Sequence, residues 1–137
     1  MAKWLLKTEP TSYSIDDLRR DKRTEWTGVR NYQARNNLRL MAVGDLAFVY
    51  HSGDVKAVVG LAKVVGSPRT DSTCDDDTWV SVDVAYVSPV KTAATLADVK
   101  GSPKLRDLAL VKNGRLSVMP VSDEEWLTLE QLTGSAR

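Results

Sequence analysis

Cysteine and histidine are almost missing from this chain, which has one of each, Cys74 and His51, in 137 residues. A single cysteine excludes an internal disulfide and a cysteine-built zinc site. A single histidine excludes a histidine-rich metal centre. No apolar run approaches the ~20 residues that cross a bilayer as a helix. The opening Met1-Ala2-Lys3-Trp4-Leu5-Leu6-Lys7 is too short in apolar content for a secretory signal. No glycine-rich phosphate loop follows a predicted strand. The expectation is a cytoplasmic protein without cofactor, metal or membrane association.

Neither sign of charge dominates: 19 Lys and Arg face 18 Asp and Glu, for a net charge of +1. The two signs are nevertheless segregated. Between Arg19 and Arg39 stand Arg19, Arg20, Lys22, Arg23, Arg30, Arg35 and Arg39, opposed only by Asp21 and Glu25. Their counterweight lies at Asp71 and at Asp75-Asp76-Asp77, within a polar loop over Gly66–Thr78, and the run of three acids, which lacks the spacing of a cation site, reads as a solvated loop. Such a division predicts a directed field even near neutrality.

A length of 137 residues with 42% hydrophobic and 27% charged residues suits one globular domain spanning 1–137. No internal repeat or low-complexity linker divides it. The pattern predicts a strand over Lys3–Lys7 that Pro10 cannot continue, then a helix capped by Ser14. Asp21–Thr24 reads as a charged loop and Gly28 as a turn. Ala34, Leu38 and Met41 form one stripe of a helix over Asn31–Leu40, with Asn31 and Arg35 sharing another face. Strands follow over Leu46–Tyr50, Lys56–Val65 and Trp79–Val87, and Gly60 marks a bulge or a close approach. Thr95–Asp98 and Ser122–Glu125 are capping boxes, Pro103 opens a short helix, and Arg115–Met119 is the last strand. About five or six strands with helices between them favour an α+β fold, a small mostly antiparallel barrel.

One run carries most of the chemistry: Trp26-Thr27-Gly28-Val29-Arg30-Asn31-Tyr32-Gln33-Ala34-Arg35-Asn36. Arginine offers a flat five-donor fork, and Asn and Gln offer paired donor and acceptor. Trp and Tyr offer a ring with a polar tip. Together they suit a nucleobase held beside a phosphate. Three further clusters end predicted strands or begin turns: Lys7-Thr8-Glu9, Tyr50-His51-Ser52 and Arg115-Leu116-Ser117. An ionised Glu9 can accept from an exocyclic amine, as acids do with cytosine N4. Trp4, Trp79 and Trp126 fall on apolar faces, whereas Trp26 does not, which marks it as a stacking residue. Cys74 lies among acids that disfavour a thiolate.

These clusters, in this order, resemble the EVE domain family of the PUA-like superfamily. The matching stretches are Trp4–Pro10, Tyr13–Leu18, Trp26–Asn36, Val43–Leu46, Tyr50–Ser52 and Arg115–Val118, with Pro120, Val121 and Trp126 beyond. The resemblance implies a PUA-like barrel with surrounding short helices and a pocket for a modified base in DNA or RNA. It assigns the pocket to Trp4, Lys7, Thr8, Glu9, Trp26, Val29, Arg30, Asn31, Tyr32, Arg35, Tyr50, His51 and Ser52, with Ser117 at its margin. Thr8 stands where many members carry serine, and its methyl narrows the site. Thr27 stands where an acid is frequent. The function implied is a monomeric, non-enzymatic reader of a modified cytosine such as 5-methyl- or 5-hydroxymethylcytosine. Trp26 would stack on the base, Glu9, Asn31 and Ser52 would bond its edge, and Arg30 and Arg35 would hold phosphates. The alternative comes from related ASCH-type domains of the superfamily, which include amidohydrolases that use Lys, Thr and Glu. It is an amidohydrolase of N4-acetylcytidine using Lys7, Thr8 and Glu9, which requires the strand to end at Lys7, since adjacent strand residues face opposite ways.

Overall fold

In a computed structural model of the chain, residues 2–135 are described. Six strands form one sheet in the order β2-β5-β4-β3-β1-β6. Strand β1 (Lys3–Thr8) lies next to the centre, parallel to β3 (Leu46–His51) and antiparallel to β6 (Val118–Pro120). The 37 residues between β1 and β3 contain helix α1 (Ile15–Asp21), strand β2 (Arg23–Trp26) and helix α2 (Tyr32–Arg39). Strands β4 (Ala57–Thr70) and β5 (Val80–Thr95) pair antiparallel with each other, and β2 pairs with the far side of β5. Helices α3 (Leu96–Lys100), α4 (Ala109–Lys112) and α5 (Asp123–Thr133) follow, with a 3₁₀ turn at Pro103–Leu105.

The α+β class and the mostly antiparallel pairing agree with the sequence. The sheet does not close into a barrel, however, because β2 and β6 remain as its two edges. Strand β2 is itself a correction, since its segment reads as a loop. Arg23 is exposed and Glu25 is held by polar partners, while Trp26 turns inward opposite Val82, so only one residue carries the apolar signal. Strand β4 runs five residues beyond Val65, because irregular pairing around Gly66 to Arg69 accommodates Pro68. Strand β5 likewise outruns its predicted end at Val87.

Side-chain caps define the helix starts. Ser14, Thr95 and Ser122 each close a reciprocal capping box. In α2 the cap is Asn31, whose Oδ1 accepts the Ala34 amide at 2.9 Å. Asn31 therefore does not share a helical face with Arg35. The stripe of Ala34, Leu38 and Met41 is buried as expected. Helix α5 sets Trp126 against Phe48, ring centroids 4.3 Å apart.

Gly60 proves to be both bulge and close approach. The pairing slips beside it on both neighbours, and an added Cβ would run into Ile15 Cδ1 and Cγ1. Here the first turn of α1 lies directly on the sheet. Gly60→Ala is expected to cost about 1–3 kcal/mol by overpacking, measured as a lower urea midpoint with unchanged slope.

Candidate base-binding cleft

A cleft of about 500 Å³ opens between the end of β1, the loop after it, strand β2 and the turn into α2. Its size falls within the range of small-ligand sites. Of the residues expected there, Lys7, Thr8, Glu9, Trp26, Val29, Arg30 and Ser117 line it. Ser12, Tyr13, Thr24, Glu25, Thr27 and Gly28 line it too. The three residues Lys7-Thr8-Glu9 all border the cleft although β1 runs to Thr8.

Seven expected residues stand outside the lining. Trp4 is buried in the core, its indole N–H donating to Asp45 Oδ2 at 3.0 Å. Tyr50 is buried as well, beneath the Lys7 ammonium at 5.7 Å from the ring centre. The Asn31 oxygen is taken by the helix cap. Tyr32 and Arg35 form a separate patch on α2, with the guanidinium carbon 4.9 Å from the ring centre. Ser52 lies behind Glu9, its hydroxyl donating to Oε2 at 3.4 Å.

His51 is structural. Its Nε2 accepts the Ile15 amide at 3.0 Å and so ties the start of α1 to the end of β3. Burial pushes its pKa below the usual 6.5, outweighing the nearby charges of Asp16 and Glu9. Protonation removes the acceptor. Because the folded pKa lies below the unfolded value, this contribution is complete above about pH 6.5 and is lost as the pH falls through the folded value. Urea unfolding at pH 7.5 and pH 5 is expected to show that loss, and His51→Gln to reduce it.

Polar groups are disposed unequally around the cleft. The Thr8 hydroxyl donates to the Tyr13 carbonyl at 2.7 Å, and the Lys7 ammonium donates to the Gly114 carbonyl at 2.6 Å. Burial lowers the Lys7 pKa from its ordinary value. Glu9 is exposed on the rim. Its carboxylate sits where a Cβ on Gly53 would come within 2.6 Å of Oε1, and Gly53 has φ +73°. Only glycine leaves the carboxylate that space without backbone strain. Gly53→Ala is expected to displace Glu9 rather than unfold the domain, visible as shifts of the Glu9 side-chain NMR signals.

The deep wall is aromatic. Trp26 is only 7% exposed, and Tyr13 meets it edge to face at 6.2 Å between centroids. So little open area is less than one indole face. Trp26 presents a limited apolar surface to the cleft and not an open stacking platform. The Tyr13 hydroxyl donates to Asp21 Oδ2 at 2.8 Å, and burial, then that bond, raises its pKa.

Two carboxylates hold the opposite lip. Glu25 accepts the Ser72 amide at 2.9 Å and the hydroxyls of Ser72 and Ser81 at 2.6 Å each. Burial pushes its carboxyl up, but those bonds and Arg69 bring it below the ordinary range. Asp71, which the sequence places in a polar loop, has a fully buried side chain. Its carboxylate accepts the Gly28 amide at 2.9 Å, Arg30 Nη1 at 3.1 Å, and the Thr73 amide and hydroxyl at 2.7 and 2.6 Å. Burial alone would raise its pKa; the Thr73, Gly28 and Arg30 bonds outweigh it and lower the value to about 2. The local Asp71-to-Thr73 contact is that of an ordinary turn, and the partners that tie Asp71 to the cleft, Arg30 and Gly28, lie 41 and 43 residues away.

Between the basic and acidic segments of the sequence one ion pair forms among the described residues, Arg30 with Asp71, and other arginines find nearer acids. Arg20 pairs with Asp17 and Asp21, Arg30 with Asp71, and both Arg23 and Arg69 with Asp83. Among the described residues no His, Cys, Asp and Glu cluster of three or more could hold a metal ion, and no helix is long and apolar enough to cross a membrane.

Comparison with known proteins places this geometry. A crystal structure from Agrobacterium tumefaciens superimposes with a TM-score of 0.95 at 41% identity, covering 100% of this chain and 97% of that one. Human thymocyte nuclear protein 1 is 36% identical over 166 residues, covering 93% of this chain and 73% of the human protein. A crystal structure of the human THYN1 protein in complex with 5-methylcytosine-containing DNA superimposes with a TM-score of 0.88 at 33% identity, covering 96% of this chain and 98% of that one. The family model described as EVE domain matches residues 2–132, and the chain belongs to the EVE domain family.

Proposed function

We propose that this domain binds a modified cytosine in DNA, 5-methyl- or 5-hydroxymethylcytosine, with the base turned into the cleft between Glu9 and Arg30. The observation that carries this reading is the likeness, across nearly the whole chain, to a human protein crystallised with 5-methylcytosine-containing DNA. The cleft chemistry supports it. Glu9 supplies an acceptor for the cytosine N4 amine. Trp26 and Val29 supply apolar surface for a methyl group. Arg30 lines the mouth and is held there by Asp71 and Thr73, so it shapes the entrance more than it binds phosphate. Ser52 acts through Glu9, and His51 through the placement of α1.

Turning a base out of a duplex costs a few kcal/mol, and Trp26 offers less stacking than an open ring. Single strands or unpaired bases are therefore expected to bind better than intact duplex. Few arginines are unpaired around the cleft, so phosphate contacts are few. With roughly two or three contacts, log K is expected to fall with log salt at a slope of about −2 on single strands. A salt titration of single-stranded binding reads that slope.

The domain is read as a binder and not as a hydrolase. Lys7, Thr8 and Glu9 do converge on the cleft, which favours the alternative of an N4-acetylcytidine amidohydrolase. Against it, the Thr8 hydroxyl donates to a carbonyl and the Lys7 ammonium to another, so nucleophile and base are not paired. Incubation with N4-acetylcytidine separates the readings: acetate release would establish the enzyme, and none is expected. For binding itself, oligonucleotides differing only in the cytosine modification are the test.

A further inference from the structure

Outside the cleft, Arg30, Tyr32 and Arg35 of the central motif meet Trp79 in a partly exposed ladder. Tyr32 and Trp79 lie 5.0 Å apart between centroids and tilted by 31°. Arg30 sits 5.6 Å from the Trp79 ring centre, and Arg35 sits 4.9 Å from that of Tyr32. Tyr32 is 62% exposed, an unusual position for a large aromatic already stacked on a second ring. Arg30 belongs to both sites, since it also lines the mouth of the cleft. The ladder thus begins where the cleft opens and runs away from it along α2.

We infer that Tyr32, backed by Trp79, is a second stacking subsite for the nucleotide flanking the base held in the cleft, and that it is indifferent to base identity. This rests on the reading of the cleft as a modified-cytosine pocket in single-stranded DNA. Every base has a π face, so a ring without polar edge contacts accepts any of the four. The charges nearby favour stacking over phosphate binding as its source of affinity. Arg30 is spent on Asp71, and Arg35 donates to the Thr78 carbonyl at 3.1 Å. The acidic run Asp75-Asp76-Asp77 adjoins Trp79 in sequence. A phosphate close to this loop would be repelled, whereas a neutral base on Tyr32 would not.

The inference divides labour within the domain. The cleft selects the modification, and the ladder contributes affinity that does not depend on it. A flanking base stacked on Tyr32 would also hold the strand in the unstacked geometry that the turned-out base requires.

The test uses a single-stranded pentanucleotide with central 5-methylcytosine and the same strand with a central abasic site, titrated by fluorescence anisotropy. Tyr32→Ala is expected to weaken both strands by a similar factor of about 10, the lower part of the stacking range. Tyr32→Phe is expected to retain the affinity of the wild-type domain. Glu9→Gln is expected to weaken the methylcytosine strand alone. Unchanged affinity in Tyr32→Ala for both strands would overturn the subsite. A loss confined to the methylcytosine strand would also overturn it, by assigning Tyr32 to the cleft. A wild-type domain that binds neither strand contradicts the subsite and the cleft together. Equal wild-type affinity for the two strands contradicts only the modified-base reading, and the response to Tyr32→Ala still decides the subsite.

Discussion

Replacing Asp71 with alanine is expected to destabilise the domain by about 3 kcal/mol, enough to lower the Tm by roughly 10 °C. The carboxylate satisfies two backbone amides, one hydroxyl and one guanidinium while itself fully buried. Truncation leaves the Gly28 and Thr73 amides without their partner. Arg30 is 40% exposed in its side chain, so water recovers part of its loss. That is why the expected figure is below the sum of the separate bonds.

The same residue sets an acid limit. Its folded pKa of about 2 lies below the usual 3.8. A depressed carboxylate pKa stabilises the folded state fully above the unfolded value, and the benefit disappears as the pH falls through the folded one. The difference corresponds to about 2.5 kcal/mol, lost progressively between about pH 5 and pH 1. Thermal melts of the wild type and Asp71→Ala should therefore converge over that interval. The His51 effect lies at higher pH and remains in both proteins. The variant also releases the segment Gly28 to Arg30, so its affinity for methylcytosine should fall even at temperatures where it is folded. Retained affinity and unchanged melting would contradict the role given to Asp71.

Glu9→Gln is expected to produce the larger change in recognition. A carboxylate accepting from the N4 amine forms a charge-assisted bond, with a net contribution of about 1.5–3 kcal/mol. Loss of the charge is expected to weaken 5-methylcytosine binding by about 10-fold or more. Thymine carries the same methyl group but presents an acceptor at position 4, which the Glu9 carboxylate repels. Glutamine can turn its NH₂ toward that oxygen. The preference for 5-methylcytosine over thymine should therefore shrink or invert in the variant. Glu9 is exposed and none of its contacts is buried in the core, so the variant should keep the wild-type stability. An unchanged preference with intact folding would remove Glu9 from the recognition edge.

Most of the architecture was legible because local rules decide it. The cap at Ser14 and the capping boxes at Thr95 and Ser122 depend on residues three apart, and all three form. The buried stripe of α2 follows from helical spacing. What was not legible depends on pairing at a distance. Strand β2 carries one inward residue, and it forms because β5 offers an unpaired edge. Closure into a barrel depends on whether the outer strands meet, which no strand pattern reveals. The same division holds in the cleft. Lys7-Thr8-Glu9 and Trp26–Arg30 are contiguous in sequence, and both border it. Tyr50-His51-Ser52 is equally conspicuous, yet it supports the site from behind. Asp71 could not be recognised, since a buried acid and a solvated one look alike until their partners are known.

The central claim is that the cleft distinguishes a modified cytosine. Its most direct test is the affinity of the domain for one single-stranded oligonucleotide carrying cytosine, 5-methylcytosine or 5-hydroxymethylcytosine at a single position, measured at one salt concentration by tryptophan fluorescence. Tighter binding of a modified strand than of the cytosine strand, with the difference reduced in Glu9→Gln, is the predicted result. Equal affinity for all three strands, unaffected by Glu9→Gln, would contradict it.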